Sequence, residues 1–401
     1  MRCQCSPAYL CLHVMMGAIL IAAMISFGGS GRAAEAMKPL VDSSDRLVLV
    51  GPTMIERMQR YGYLDTLLAQ RTAGKIETRN LGWSGDTVFG ISRAVFGTQE
   101  VGFNRLVNDV VQAKPTVILL AYGRNEALEG RIGEAVFEKQ YRLLASTLVE
   151  KTKARLILLQ PRRVEWQGPP LPAPAKWNGN LDRYRNIIRR IANDIDVTLI
   201  ESTATDDWTI TRNGLHPTRA GFWKYSSWLA DQLIPPPSSH VWQISTAPDS
   251  PIQARKLTSV VYQFTIEGPL PPPDAPAGAA NHRLPTIKIA GLPEGEYQLS
   301  NNGVPLKTAS AKDWKQGLKV SASGGAVQTE KIRQLAIAKN QLYFHRYRPQ
   351  NETYLFLFRK HEQGNNAVEI PQYEPLVAAL EQQIAKLAKP TPTVYRLARI
   401  R

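Results

Sequence analysis

Cysteine is missing from all but the start of this chain. Cys3, Cys5 and Cys11 are the only three in 401 residues, so everything after them can form neither a disulfide nor a thiolate metal site. Histidine is nearly as sparse. The six are scattered with no H-x-x-x-H pair, and no metal or other cofactor is expected. Long apolar runs are also lacking: the longest, Val14–Phe27, falls short of the ~20 residues that a membrane span needs. No repeat of fixed period and no coiled-coil heptad is present. Acidic residues are under-represented, 34 against 49 Lys and Arg, for a net charge of +15.

The N-terminus reads as a secretory signal over residues 1–36, with a retained N-terminal anchor as the lesser alternative. Arg2 gives a weak positive start, the apolar run follows, and Ala34-Glu35-Ala36 fits the small-residue cleavage pattern. The expected location is therefore exported, periplasmic or extracellular. Cleavage would remove only Arg2, Arg32 and Glu35 among the charges, so the positive excess would persist. In an exported chain that excess points to acidic polysaccharide, an anionic envelope surface or simple solubility rather than nucleic acid. Its spread along the whole chain makes the signal unspecific.

From Arg46 to Leu233 strands and helices alternate. Leu47–Val50, Ile76–Leu81, Thr116–Ala121, Arg155–Gln160 and Val197–Ile200 read as strands, with Ile76–Leu81 the least apolar and expected at an edge. Phe137, Tyr141, Leu144 and Leu148, then Tyr184, Ile187, Ile188, Ile191 and Ile195, recur at helical spacing. A last helix is expected over Thr218–Leu233. Five strands interleaved with helices imply a three-layer α/β/α domain, residues 37–234, around a five-stranded, mostly parallel sheet of flavodoxin-like type. Pro235-Pro236-Pro237 ends it. Residues 235–401 form a smaller α+β region: strands near 260–267, 286–290 and 296–300, a hairpin turn at Asn301-Asn302-Gly303, a surface loop over Gly268–Ala280, and helices over 329–346 and 373–387.

Four short segments lie just past a strand or just before a helix, where an open α/β sheet binds its ligands. They are Gly51-Pro52-Thr53, Asn80-Leu81-Gly82-Trp83-Ser84-Gly85-Asp86-Thr87, Tyr122-Gly123-Arg124-Asn125-Glu126 and Asn213-Gly214-Leu215-His216-Pro217. In this order they resemble the four blocks of the SGNH (GDSL-type) hydrolase superfamily, over about residues 46–233. The resemblance implies an ester hydrolase acting on acetyl or other small acyl groups, plausibly on carbohydrate. It assigns Thr53 as nucleophile, the Gly85 N–H and the Asn125 amide as oxyanion donors, His216 as general base and Asn213 as its orienter. Pro217, with its fixed φ, is expected to open the following helix as its first residue.

Two positions depart from the family pattern. Pro52-Thr53 stands where the family has Asp-Ser, and Asn213 stands where it has Asp. A Thr hydroxyl can attack, but its methyl crowds the approach. An Asn cannot stabilise an imidazolium as a carboxylate does, although its carbonyl oxygen could accept from His216, and Glu126 keeps a carboxylate nearby. Thr53-Met54-Ile55-Glu56 is equally a capping box, with Thr53 capping a helix and Glu56 reaching back. Ser84 does not fit G-x-S-x-G. Trp83, Trp166, Trp177 and Tyr122 could stack on sugar rings or be plain core, and Arg162-Arg163 could grip an anionic substrate or be solvated. The alternative to an enzyme is a scaffold without turnover that holds carbohydrate or a partner protein.

Overall fold

The computed structural model describes residues 38–202, 210–236, 241–277, 284–320 and 323–401; the expected signal at 1–36 and the end of the Gly268–Ala280 loop lie outside them. Five strands, β1 (Arg46–Val50), β2 (Glu77–Asn80), β3 (Val117–Leu120), β4 (Arg155–Leu159) and β5 (Thr198–Ile200), form one sheet in the order β2-β1-β3-β4-β5. Every pairing in it is parallel. The near-continuous apolar runs of β1, β3 and β4 are what a sheet covered on both faces requires. Alternate residues separate cleanly. Val48, Val50, Ile118, Leu120, Leu156 and Leu158 enter one core, which is closed by α3 (Gln99–Gln112), α4 (Glu134–Thr152) and α5 (Ala175–Asp194). Leu47, Leu49, Val117, Leu119, Ile157 and Leu159 enter the other, closed by α1 (Thr53–Met58), α2 (Tyr63–Arg71) and α6 (Arg219–Leu233).

Beyond Ile234 two sheets build a separate core. One is β6 (Val241–Ser245), β9 (Thr286–Ala290) and β12 (Leu318–Lys319). The other runs β11-β10-β13-β8-β7, from β7 (Arg255–Lys256), β8 (Val261–Ile266), β10 (Glu296–Asn301), β11 (Val304–Ser310) and β13 (Thr393–Arg399). A short helix, α7 (Ala311–Gln316), follows β11 and buries Trp314. The expected hairpin turn lies between β10 and β11. Strands β6, β7, β11, β12 and β13 were not foreseen from the sequence.

Two long helices then return to the first domain: α8 (Ser323–Tyr347) and, after short helices α9 (Glu352–Leu355) and α10 (Lys360–Gln363), α11 (Tyr373–Leu387). They pack on each other and on α2 and the exposed edge of β2, and Tyr343, Tyr347 and Val377 belong to the same core as α3–α5. Polar ties reinforce this contact. Lys339 Nζ reaches Asp65 at 2.9 Å and Arg79 meets Glu381 at 2.5 Å. Tyr347 Oη donates to the Gly82 carbonyl at 2.7 Å. Covering the edge of β2 in this way also removes an unpaired strand edge. Among the described residues no helix is long and apolar enough to cross a membrane.

Candidate active site

The turn after β1 positions Thr53. Helix α1 begins at Thr53 itself, with Pro52 at the N-cap and no side-chain cap bond. The capping-box reading is thereby overturned. Its acid is used elsewhere: Glu56 Oε2 accepts the Ser84 N–H at 2.5 Å and the Arg348 guanidinium at 3.2 Å. The Thr53 hydroxyl is left to face outward.

The loop after β2 is strapped onto this turn. Asn80 donates to the Ile55 carbonyl at 2.7 Å and accepts from the Gly82 N–H at 2.8 Å. The Trp83 N–H donates to the Gly51 carbonyl at 2.9 Å. Gly85 then takes φ +79, a left-handed conformation that costs glycine nothing, and its N–H points at Thr53 Oγ1 at 3.4 Å. Beneath it lies a buried polar network. Asp86 accepts from Arg93 Nε at 2.8 Å and from Tyr122 Oη at 2.7 Å, and Arg93 also meets Asp109 at 2.8 Å. Trp83 is buried against Tyr347 with the Arg348 guanidinium 3.9 Å from its ring. Trp83 and Tyr122 are therefore core residues and offer no face to a sugar.

After β3, Asn125 is fixed by one amide N–H given to the Asp86 carbonyl at 2.8 Å, which leaves its second N–H for the cavity it lines. Glu126 does not supply a carboxylate to His216. It points inward and accepts the Val88 and Gly123 N–H groups at 2.8 and 2.9 Å. Burial pushes its carboxyl up to about 7, against the pull of those backbone donors.

The fourth segment holds His216. Gly214 takes φ +81, and a Cβ there would stand 2.4 Å from the Glu165 carbonyl oxygen, so the turn can pass only without a side chain. Helix α6 starts at Arg219 with Thr218 as its cap, accepting from the Gly221 N–H at 3.0 Å. Pro217 thus precedes the cap and does not open the helix. Asn213 Oδ1 accepts the N–H groups of Leu215 and His216 at 3.3 and 2.9 Å. With the oxygen so committed, it is the amide nitrogen that faces His216 Nδ1, at 3.2 Å. The expected contact, His216 donating to the Asn213 carbonyl, is reversed. An amide donor at Nδ1 places the neutral ring's proton on Nε2. Burial, followed by the charges of Arg57, Arg124 and Arg212, lowers the pKa of His216 from its ordinary value.

Thr53, Asn125 and His216 line one small cavity with Arg57, Arg124 and Trp177, and Gly85 reaches it through Thr53 Oγ1. A larger cavity of about 440 Å3 adjoins it, sharing Leu128, Trp177 and Leu215 and adding Lys176, Asn180 and Asn213. Trp177 is the one expected aromatic that lines the site; Trp166 stands exposed outside it. Arg162 and Arg163 are spoken for, by Glu165 and Asp182. Among the described residues no cluster of His, Asp or Glu could hold a metal. Sequence reasoning missed Arg57 and Arg124. Their signal was only a basic residue one turn into α1 and another inside the third segment.

Thr53 on the turn after the first strand, Gly85 and Asn125 from the next two loops and His216 before the last helix thus meet around one cavity on a flavodoxin-like sheet. Residues 55–224 match the GDSL-like Lipase/Acylhydrolase family, and the α/β domain of this chain belongs to it. A gut microbial diltiazem-metabolizing enzyme is similar over 91% of this chain and 99% of its own, at 15% identity with a TM-score of 0.69. That likeness shows the fold with its C-terminal region included. An acetyl xylan esterase is similar over 47% of this chain and 100% of its own, at 18% identity and a TM-score of 0.39. A peptidoglycan O-acetylesterase is similar over 39% and 46%, at 18% identity and a TM-score of 0.32. No curated protein matches this chain by sequence.

Proposed function

We propose that this chain is an exported ester hydrolase that removes acetyl or another small acyl group from carbohydrate. Thr53 Oγ1 attacks the ester carbonyl carbon and its proton passes to His216. The carbonyl oxygen, now an anion, takes hydrogen bonds from the Gly85 N–H and the Asn125 amide. Collapse expels the alcohol, which leaves with the proton from His216, and water then releases the acyl group from Thr53 by the same steps in reverse order of roles. The observation that carries this reading is the Gly85 N–H aimed at Thr53 Oγ1 in a cavity shared with Asn125 and His216. The adjoining cavity, with an indole beside amide and ammonium groups, suits the apolar face and hydroxyl edge of a sugar ring.

The base is set against fast turnover. With its proton on Nε2, His216 must first move that proton to Nδ1, giving up the Asn213 amide contact, before Nε2 can accept from Thr53. In the serine-protease template a carboxylate-to-amide change at the orienting position costs about 10⁴ in kcat. The same observation favours a second reading, a scaffold that binds acylated carbohydrate or a partner protein without turnover. Acetate release from p-nitrophenyl acetate separates them. Slow release abolished in Thr53→Ala supports the hydrolase; release that is absent, or unchanged in Thr53→Ala, leaves the scaffold.

A further inference from the structure

The cavity around Thr53 is cationic, and among the described residues no carboxylate pairs with the arginines that line it. Among the described residues the three buried arginines each meet a carboxylate: Arg79 with Glu381 at 2.5 Å, Arg93 with Asp86 at 2.8 Å and Arg333 with Glu330 at 2.6 Å. Arg124 has no such partner among the described residues. It lines the cavity of Thr53 and His216 and also the space beneath it that Arg162 and Tyr225 share. The residue as a whole is only partly covered, but its Nη2 is sealed from water with no hydrogen-bond partner. Burial and then the Arg162 charge pull its pKa down to about 10, which still leaves it charged at neutral pH. Arg57 repeats the pattern: it lines the same cavity, and its Nε is buried without a partner. Glu165, an acid whose charge acts on Arg124, is saturated by Arg162 at 3.0 Å, the N–H groups of Ile210 and Thr211 and the Thr211 hydroxyl.

A buried cation without a counter-charge is costly, and an arginine fork matches an oxyanion in two-point geometry. We propose that Arg124, with Arg57, is an anion subsite that binds an oxyanion group of the substrate, so that the ester cleaved is carried on an acidic rather than a neutral sugar. This rests on the ester-hydrolase reading of the same cavity. The chemistry it requires is shared by the carboxylate of a uronic acid and by a sulfate or phosphate ester. The overall positive charge of the chain would help gather such substrates.

The test compares methyl glycosides bearing the same O-acetyl group and differing in one position: a neutral glucoside, the glucuronoside, the 6-sulfate and the 6-phosphate. Acetate release gives kcat/KM, and calorimetry with the deacetylated glycosides gives affinity independently of turnover. The wild type is expected to prefer an anionic form by about 10–100-fold in both readings, the contribution of a charge-assisted hydrogen bond. Which of the three anions leads identifies the group. Arg124→Gln should collapse the ratio of anionic to neutral towards 1, and Arg124→Lys, which keeps charge without the fork, should fall between. Thermal melting checks folding, and relief of the buried charge should leave Arg124→Gln at least as stable as wild type. Equal handling of neutral and anionic sugars by the wild type, or a preference that survives in Arg124→Gln, would overturn the subsite. Absence of acetate release with the anionic affinity intact would instead remove the hydrolase reading and leave the subsite standing.

Discussion

On one side of the cavity the Gly85 N–H already points at Thr53 Oγ1 and Asn125 is pinned by the Asp86 carbonyl. On the other, Asn213 spends its oxygen on two backbone N–H groups and turns its amide to His216. In the proposed mechanism the oxyanion donors are thus in place before any substrate arrives, whereas Asn213 holds His216 in the tautomer that donates. The Gly85 loop is held by groups with structural duties of their own: Asn125 bonds the Asp86 backbone carbonyl, and Asn80 and Glu56 accept the Gly82 and Ser84 N–H groups. The orienting residue has a second duty too, closing the Asn213–His216 turn, and an amide oxygen performs that duty as well as a carboxylate does. An amide at position 213 therefore leaves the turn closed, and in the proposed mechanism its effect falls on proton transfer.

The largest effect expected follows from that contrast. Asn213→Asp keeps an oxygen for Leu215 and His216 N–H and presents a second oxygen to Nδ1. Acetate release should rise by about 10²–10⁴-fold, approaching the cost of the reverse change in the serine-protease template. Adding Thr53→Ser, which removes the methyl that crowds attack, should raise it further. An unchanged rate in Asn213→Asp would break the contrast.

On the nucleophile side, Thr53→Ala should remove acetate release down to the rate of Asn213- and His216-independent background, a loss on the order of 10²-fold or more. Because Thr53 makes no cap bond, its stability in urea should move by no more than about 0.5 kcal/mol. A loss near 1 kcal/mol, typical of a deleted cap, would restore the capping role.

Protonation gives a smaller, signed effect. His216 acts as a base only when neutral, and its folded pKa lies below the ordinary 6.5. The acid limb of kcat/KM should accordingly lie below pH 6.5. Arg212→Gln, which removes one of the cations responsible, should move the limb up in pH, and Asn213→Asp should move it up as well by placing a negative charge beside the ring. A limb above 6.5 in wild type would contradict the cationic setting.

Much of this was legible in the sequence, and the failures share a cause. The five strands, their helices and the four site segments follow from apolar periodicity and from turns placed at strand ends, which are local properties. What could not be read were groups whose partners are distant. Glu56 looked like half of a capping box because Ser84 and Arg348, which take it instead, lie 28 and 292 positions away. Arg163 looked free because Asp182 lies 19 positions away, whereas Arg162 bonds Glu165 only three positions on, a pairing that spacing alone does not announce. Arg124 looked ordinary because only the fold shows that it lacks a carboxylate partner among the described residues. Asn213 was placed correctly beside His216, but which end of an amide faces the ring depends on backbone N–H directions. Strand β13 was invisible because its partners, β8 and β10, are set by pairings across more than ninety residues.

The smallest effect tests the C-terminal helices. Tyr347 holds the Gly82 carbonyl from α8, so Tyr347→Phe should cost about 1 kcal/mol in urea unfolding. It should also slow acetate release modestly by loosening the Gly85 loop. Normal stability would mean that α8 braces the site less than its contacts imply.

The contrast between the two halves rests on one proton, and nitrogen NMR of the His216 ring locates it. In the wild type at pH 7 the Nε2 resonance should be that of a protonated nitrogen and Nδ1 that of a bare acceptor, with the two exchanging roles in Asn213→Asp. A wild-type ring already protonated at Nδ1, with Nε2 free to accept from Thr53, would contradict the account.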